Sequence, residues 1–250
     1  MNTPHSPLSN GAAPSPSRRR TRWRWSGTCV AVAVVLTHSW WLRAIGGFLA
    51  AESPLRKADA AVVLGGDHRL QRAAEFWKDG TVSEIWLLER EPSYAVSAGI
   101  LPPAHAVEVE ELKSLGVPDA RIRVLQGALR DVDDAARIIS GEVRRSPDQR
   151  LLVLCHRPQC RNLRLVLDLV LGRSSGSQVG VRGVPADAFH EGNWWKSRTG
   201  WKDTFNATCE LLFTMLHGVD VKRTQTPWNP DDFERQFVLK YEGSGCPGSE

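Results

Sequence analysis

From Ala58 onward the chain alternates short apolar runs rich in Val, Leu and Ile with longer stretches of helical periodicity, and this constrains its fold more than any other feature. Asp59 to Leu64 (DAAVVL) reads as a strand ending at Gly65-Gly66, and Leu70 to Lys78 follows with helical spacing until Gly80. Glu84 to Leu88, Arg121 to Leu125, Arg150 to Leu154 and Gln178 to Val184 read as four more strands. Between them lie a loop over 90–104 and helices over Ala106 to Leu115, Asp131 to Val143 and Gln159 to Leu171; Asp203 to His217 forms a last long helix. Strands that are apolar throughout and separated by helices predict a Rossmann-like, doubly wound α/β domain over 52–218. Its five-stranded, mainly parallel sheet carries helices on both faces, and ligands are expected at the carboxyl ends of the strands. Beyond Gly218 the chain is rich in Pro, Asn and Asp; 219–250 reads as an extension with one short helix at Asp231 to Leu239.

A net charge of +4 suggests a nucleic-acid partner until its location is considered. Of 32 Lys+Arg and 28 Asp+Glu, six arginines and no acidic residue precede Glu52, so 26 basic residues face 28 acidic ones beyond it. A domain of net −2 offers no bulk field for phosphates, and no nucleic-acid partner is expected.

The arginines have a different neighbour. Residues 1–25, rich in Pro, Ser and Arg, read as a disordered basic tail. Ser26 to Leu42 is uncharged, just long enough to span a bilayer core, and is bracketed by Trp23, Trp25, Trp40 and Trp41. Three readings stand: an uncleaved signal anchor, which no small-residue cleavage triplet interrupts; a cleaved signal peptide; and a buried helix of a soluble protein. We take the first. The positive-inside rule then places the tail in the cytoplasm and the domain outside it, in a single-pass protein contacting lipid through residues 26–42.

Five positions can carry chemistry. Gly65-Gly66, with Asp67 and Arg69 at the start of the following helix, suits an anion held by backbone N–H groups and a guanidinium, or simply a tight turn. Asp131, Asp133 and Asp134 read as a helix cap with dipole partners, or as a general base or hard-metal ligand aimed at the strand ends. Cys155-His156 and Cys160-Arg161 place a thiol, an imidazole and a guanidinium after the fourth strand, with no third member of a triad in view. Asn193-Trp194-Trp195 with Arg198 and Trp201 packs the last helix or meets a membrane interface. Glu210, within the apolar run of that helix, wants a cationic partner. The four cysteines beyond Cys29 (Cys155, Cys160, Cys209 and Cys246) allow three disulfide pairings, and match no zinc spacing.

The order of motifs resembles the YdcF/SanA/ElyC-type domain family of bacterial envelopes: D-A-A-V-V-L-G-G, an arginine three residues on, R-A-A-x-x-W-x-D-G, L-G-V-P-x-x-R-I, an acidic helix start, an arginine-bearing helix, and W-W with a late glutamate. The resemblance covers about Ala58 to Gly218. It implies a Rossmann-like fold, an anchor in the bacterial inner membrane, a link to envelope or peptidoglycan biogenesis and, in one branch, binding of S-adenosylmethionine. It also implies a pocket containing Gly65, Gly66, Arg69 and Arg161. Where the family has Ser-Gly-Gly this chain has Leu88-Glu89-Arg90, its Thr-x-Glu-Asn is Asp131-Val132-Asp133-Asp134, and its His before the arginine is Pro158, with His156 two positions earlier.

The expectation is a membrane-anchored envelope protein that binds a small anionic, nucleotide-like or phosphorylated ligand through Gly65, Gly66, Asp67, Arg69, Glu89, His156 and Arg161. The alternatives are a catalytically silent interaction module, and a phosphate-directed hydrolase or transferase with Asp131 or Asp133 as base. No metal is expected.

Overall fold

The computed structural model describes residues 37–219, apart from 54, 56, 67, 177 and 186–188. The expected tail, residues 26–36 of the expected span and nearly all of the C-terminal extension lie outside the described residues. Among the described residues no helix is long and apolar enough to cross a membrane.

The alternation produces five strands: β1 (Ala60–Val63), β2 (Glu84–Arg90), β3 (Ile122–Leu129), β4 (Leu151–His156) and β5 (Val179–Val184). All pair in parallel, in the order β3-β2-β1-β4-β5. The helices are α1 (residues 37–49), α2 (His68–Lys78), the short α3 (Tyr94–Ser97), α4 (Ala104–Ser114), α5 (Val132–Arg145), α6 (Cys160–Gly176) and α7 (Arg198–His217). Strand β1 is central and entirely buried, which accounts for its unbroken Ala-Ala-Val-Val.

The period of two divides the core. Ala61, Val63, Ile85, Leu87, Leu152 and Leu154 pack with Leu70, Ala73, Ala74 and Leu112 of α2 and α4. Their neighbours Val62, Trp86 and Val153 point the other way and are equally buried, on the side where α5 and α6 pack together. Each fully buried Leu or Val contributes about 1.5–3 kcal/mol.

Several ends differ from expectation for identifiable reasons. Strand β4 runs two residues past Leu154, because its ladder with β5 continues through Cys155↔Gly183 and His156↔Val184. A parallel ladder needs backbone, not apolar side chains. The expected loop over 90–104 contains α3. Helix α7 starts at Arg198 rather than Asp203, because Ser197 Oγ accepts from Gly200 N at 2.9 Å and caps it. Gly200 is required there, since a Cβ would lie 2.2 Å from the Trp194 carbonyl oxygen. Helix α6 is interrupted at Gly172, whose φ is +76°.

Helix α1 belongs to the packed body although it precedes residue 52; it takes in residues 37–42 of the expected 26–42 span, so that span does not stay separate from the domain up to Leu42 as expected. Leu42 and Ala50 are buried with Phe189 and Trp194, and Leu49 with Ala207 and Leu211 of α7. Trp194 Nε1 donates to the Leu42 carbonyl at 2.9 Å, a buried bond between residues 152 apart in the chain. The segment after α1 covers the outer edge of β5, where Ser53 and Val181 exchange backbone hydrogen bonds of 2.9 and 3.0 Å.

Candidate functional site

The connections from β1 to β2 to β3 move one way across the sheet, while β4 and β5 lie on the other side of β1. The direction reverses between β1 and β4, and in open α/β sheets a crevice forms at the carboxyl ends of such a pair. Gly65-Gly66 ends β1 there and His156 ends β4.

Gly65 adopts φ +93°, a conformation that favours glycine, and a Cβ on it would lie 2.7 Å from the Arg69 guanidinium. Arg69 folds back over the turn, donating from Nε to the Gly66 carbonyl at 3.1 Å. The turn therefore presents a guanidinium as well as backbone. On its other side stands Glu108 of α4, 8% exposed, which accepts from Arg90 Nη2 at 3.2 Å. Burial raises the Glu108 carboxyl above its ordinary pKa, and the charges of Arg90, Arg69 and His105 oppose that shift. Across the crevice His156 Nε2 lies 3.9 Å from Asp203 Oδ2 of α7, with its ring edge-on to Phe189 at 6.3 Å. Burial lowers the His156 pKa below 6.5; Asp203 opposes the shift and Arg69 adds to it. The imidazole is thus neutral at pH 7, able to accept a proton or a hydrogen bond.

The expected site residues separate into groups. Gly65, Gly66, Arg69 and His156 come together at the switch point. Asp67 lies outside the described residues. Glu89 is half-buried on β2 beside Arg90, at the register shift between β2 and β3. Arg161 is exposed at the start of α6 and stacks on Phe48 of α1, 4.7 Å from guanidinium carbon to ring centre. Its observed contact is with α1, not with the glycine turn. Asp131 is the N-cap of α5, accepting from Asp134 N at 3.0 Å, and Asp133 sits in the first turn.

Cys155 and Cys160 are not poised for nucleophilic attack. Cys155 and Cys160 are buried with sulfurs 3.4 Å apart, and their mutual hydrogen bond and burial push the Cys155 pKa well up. Glu210 faces Gln159 rather than a cation. Among the described residues no three His, Cys, Asp or Glu side chains are grouped to hold a metal ion.

A polar cavity of about 510 Å³ lies between α2 and the end of β5. Three arginines line it, each already engaged: Arg72 pairs with Glu75, Arg157 with Glu191, and Arg182 stacks on Phe76. Gly183 allows the close packing, since a Cβ there would lie 2.7 Å from Cys160 Sγ. Sequence reading missed Glu108, Asp203, Arg157 and Arg182. Glu108, Asp203 and Arg182 lie on elements remote from the turn they serve, and only the fold brings them together; Arg157 directly follows His156 and was overlooked beside it.

Fold and site together define a doubly wound α/β domain whose switch-point crevice carries arginine, a buried glutamate and a neutral histidine. No family model, curated protein or solved structure matches the chain.

Proposed function

We propose that this is a membrane-anchored envelope protein whose α/β domain binds a small anionic ligand, nucleotide-like or phosphorylated, at the switch point. The observation that carries the reading is the Arg69 guanidinium laid over the Gly65-Gly66 turn beside His156. A guanidinium and backbone N–H groups at a helix start are the donors an anion needs, and charge-assisted hydrogen bonds are the stronger kind. S-adenosylmethionine fits this crevice less well. Its sulfonium is a cation, and the crevice offers two arginines and two carboxylates, of which Arg90 engages Glu108 and His156 faces Asp203. The envelope role rests on resemblance, and the anchor on the uncharged run that begins at Ser26 and continues into α1, where Leu42 already packs within the domain.

Calorimetry with inorganic phosphate, adenosine monophosphate and S-adenosylmethionine tests the ligand class. Phosphate-bearing probes are expected to bind, and Arg69→Ala to weaken them by about tenfold or more, the value of a charged hydrogen bond. Equal affinity in wild type and variant would sink the assignment.

A second reading, a phosphate-directed hydrolase or transferase, is favoured by the His156–Asp203 pair. His156 is better placed as base than Asp131, whose carboxylate caps α5. Turnover of a phosphomonoester panel that His156→Gln abolishes would support it; no turnover with wild type leaves binding alone.

A further inference from the structure

Helices α1 and α7 share an apolar face that none of the described residues covers. Phe205, Leu212 and Met215 recur at i, i+7 and i+10 along one side of α7 and are 67, 52 and 63% exposed. Ile45 and Phe48 of α1 stand opposite, across an open groove of about 930 Å³ with no charged side chain in its lining. The patch continues beyond the groove to Trp40 and Leu216, both 78% exposed. An apolar surface of this extent marks an interaction site.

Two observations identify the occupant. The first is continuity: the uncharged residues 26–36, preceded by five arginines, lead directly into α1, one wall of the groove. The second is the rim. Lys196, Arg198 and Lys202 around the start of α7 are exposed, next in the chain to Trp195 and to Trp201 of the groove lining. Indole rings with lysine and arginine around an uncharged helix face are the chemistry of a surface lying in a bilayer interface, with the cations at anionic headgroups. A second copy of the chain would present another uncharged groove ringed by the same cations.

We infer that the α1–α7 face seats the domain on an anionic lipid bilayer, with Phe48, Phe205 and Leu212 at acyl-chain depth and the basic rim at the headgroups. This rests on the reading of the uncharged run before α1 as membrane-inserted but claims more: the folded domain, α1 included, lies on the membrane instead of hanging from it.

The test uses the full chain in vesicles of phosphatidylcholine with or without phosphatidylglycerol, with Cys29→Ser, Cys209→Ser and Cys246→Ser as background. A polarity-sensitive fluorophore is placed at Leu212→Cys or, as control, at exposed Ser114→Cys on the opposite side of the sheet. At 212 the emission should shift to the blue and be quenched by lipids brominated on their acyl chains, more strongly with phosphatidylglycerol. At 114 it should stay aqueous. Replacing Lys196, Arg198 and Lys202 by Glu should remove the dependence on phosphatidylglycerol. An aqueous signal at 212 on a chain that floats with the vesicles overturns the seating and leaves the anchor standing. A blue shift that rises with protein density and escapes brominated lipid makes a second copy the occupant and also overturns it. Failure to float removes the anchored reading and the inference with it.

Discussion

At the residue scale the site is held together by competition for one histidine. Burial works against a proton on His156, Arg69 works against it too, and Asp203 works for it. Removing each partner should therefore move the titration in opposite directions: Asp203→Asn should take the His156 pKa further below 6.5, and Arg69→Gln should bring it back up. Proton NMR of the imidazole across the acid range reads this directly, and shifts of the same sign in both variants would show that the groups do not share a crevice. The same shift sets a pH dependence of stability. The unfolded chain takes up this proton at about pH 6.5, before the folded one does, so on acidification the histidine's contribution declines from about pH 6.5 down to the lowered folded value and levels off beneath it. Glu108 acts in the opposite sense at lower pH. Its folded pKa is raised above 4.5, so the folded state takes up the proton first and part of the acid loss is offset. Urea unfolding of His156→Gln should accordingly lack the decline just below pH 6.5 that wild type shows.

At the scale of elements, stops and caps explain more than propensity does. Helix α7 begins at Ser197 because its hydroxyl satisfies Gly200 N, and α5 begins at Asp131 because its carboxylate satisfies Asp134 N. Ser197→Ala and Asp131→Ala should each cost about 1 kcal/mol in chemical denaturation. Asp131→Ala should leave phosphate binding unchanged, whereas a loss of binding with unchanged stability would return Asp131 to the site. Element type was legible in the sequence because the apolar runs are short, β-branched and stopped by glycine: Gly80 and Gly116 end α2 and α4 at φ +69° and +91°. The Gly65-Gly66 turn with Arg69, and His156 after the fourth strand, were legible for the same reason, being local to a strand end. Glu108 and Asp203 were not, since nothing near them in the chain distinguishes them from surface carboxylates of amphipathic helices. Arg161 was placed by resemblance, and its contact with Phe48 depends on α1, whose packing is one of three readings of the uncharged run and not the one taken.

At the scale of the whole molecule the charge is divided, and the division predicts an orientation. Six arginines precede residue 52 without an acidic residue among them, and the remaining chain is net negative. Positive charge next to an apolar segment is retained on the cytoplasmic side, so the domain that ends near Gly218 should lie across the membrane from residues 18–24. A reporter active only outside the cytoplasm, fused after Gly218, should be active, and one active only in the cytoplasm should be silent. The sign of the flank is what the rule uses, not the fold behind it. Replacing Arg18, Arg19, Arg20, Arg22 and Arg24 with neutral residues should therefore weaken the preference and raise the cytoplasmic signal, while replacing Lys196, Arg198 and Lys202 should not. A cytoplasmic reporter active in the unaltered chain would overturn the orientation. It would leave the crevice at Gly65, Arg69 and His156 unaffected, because that site is built by the strand order alone.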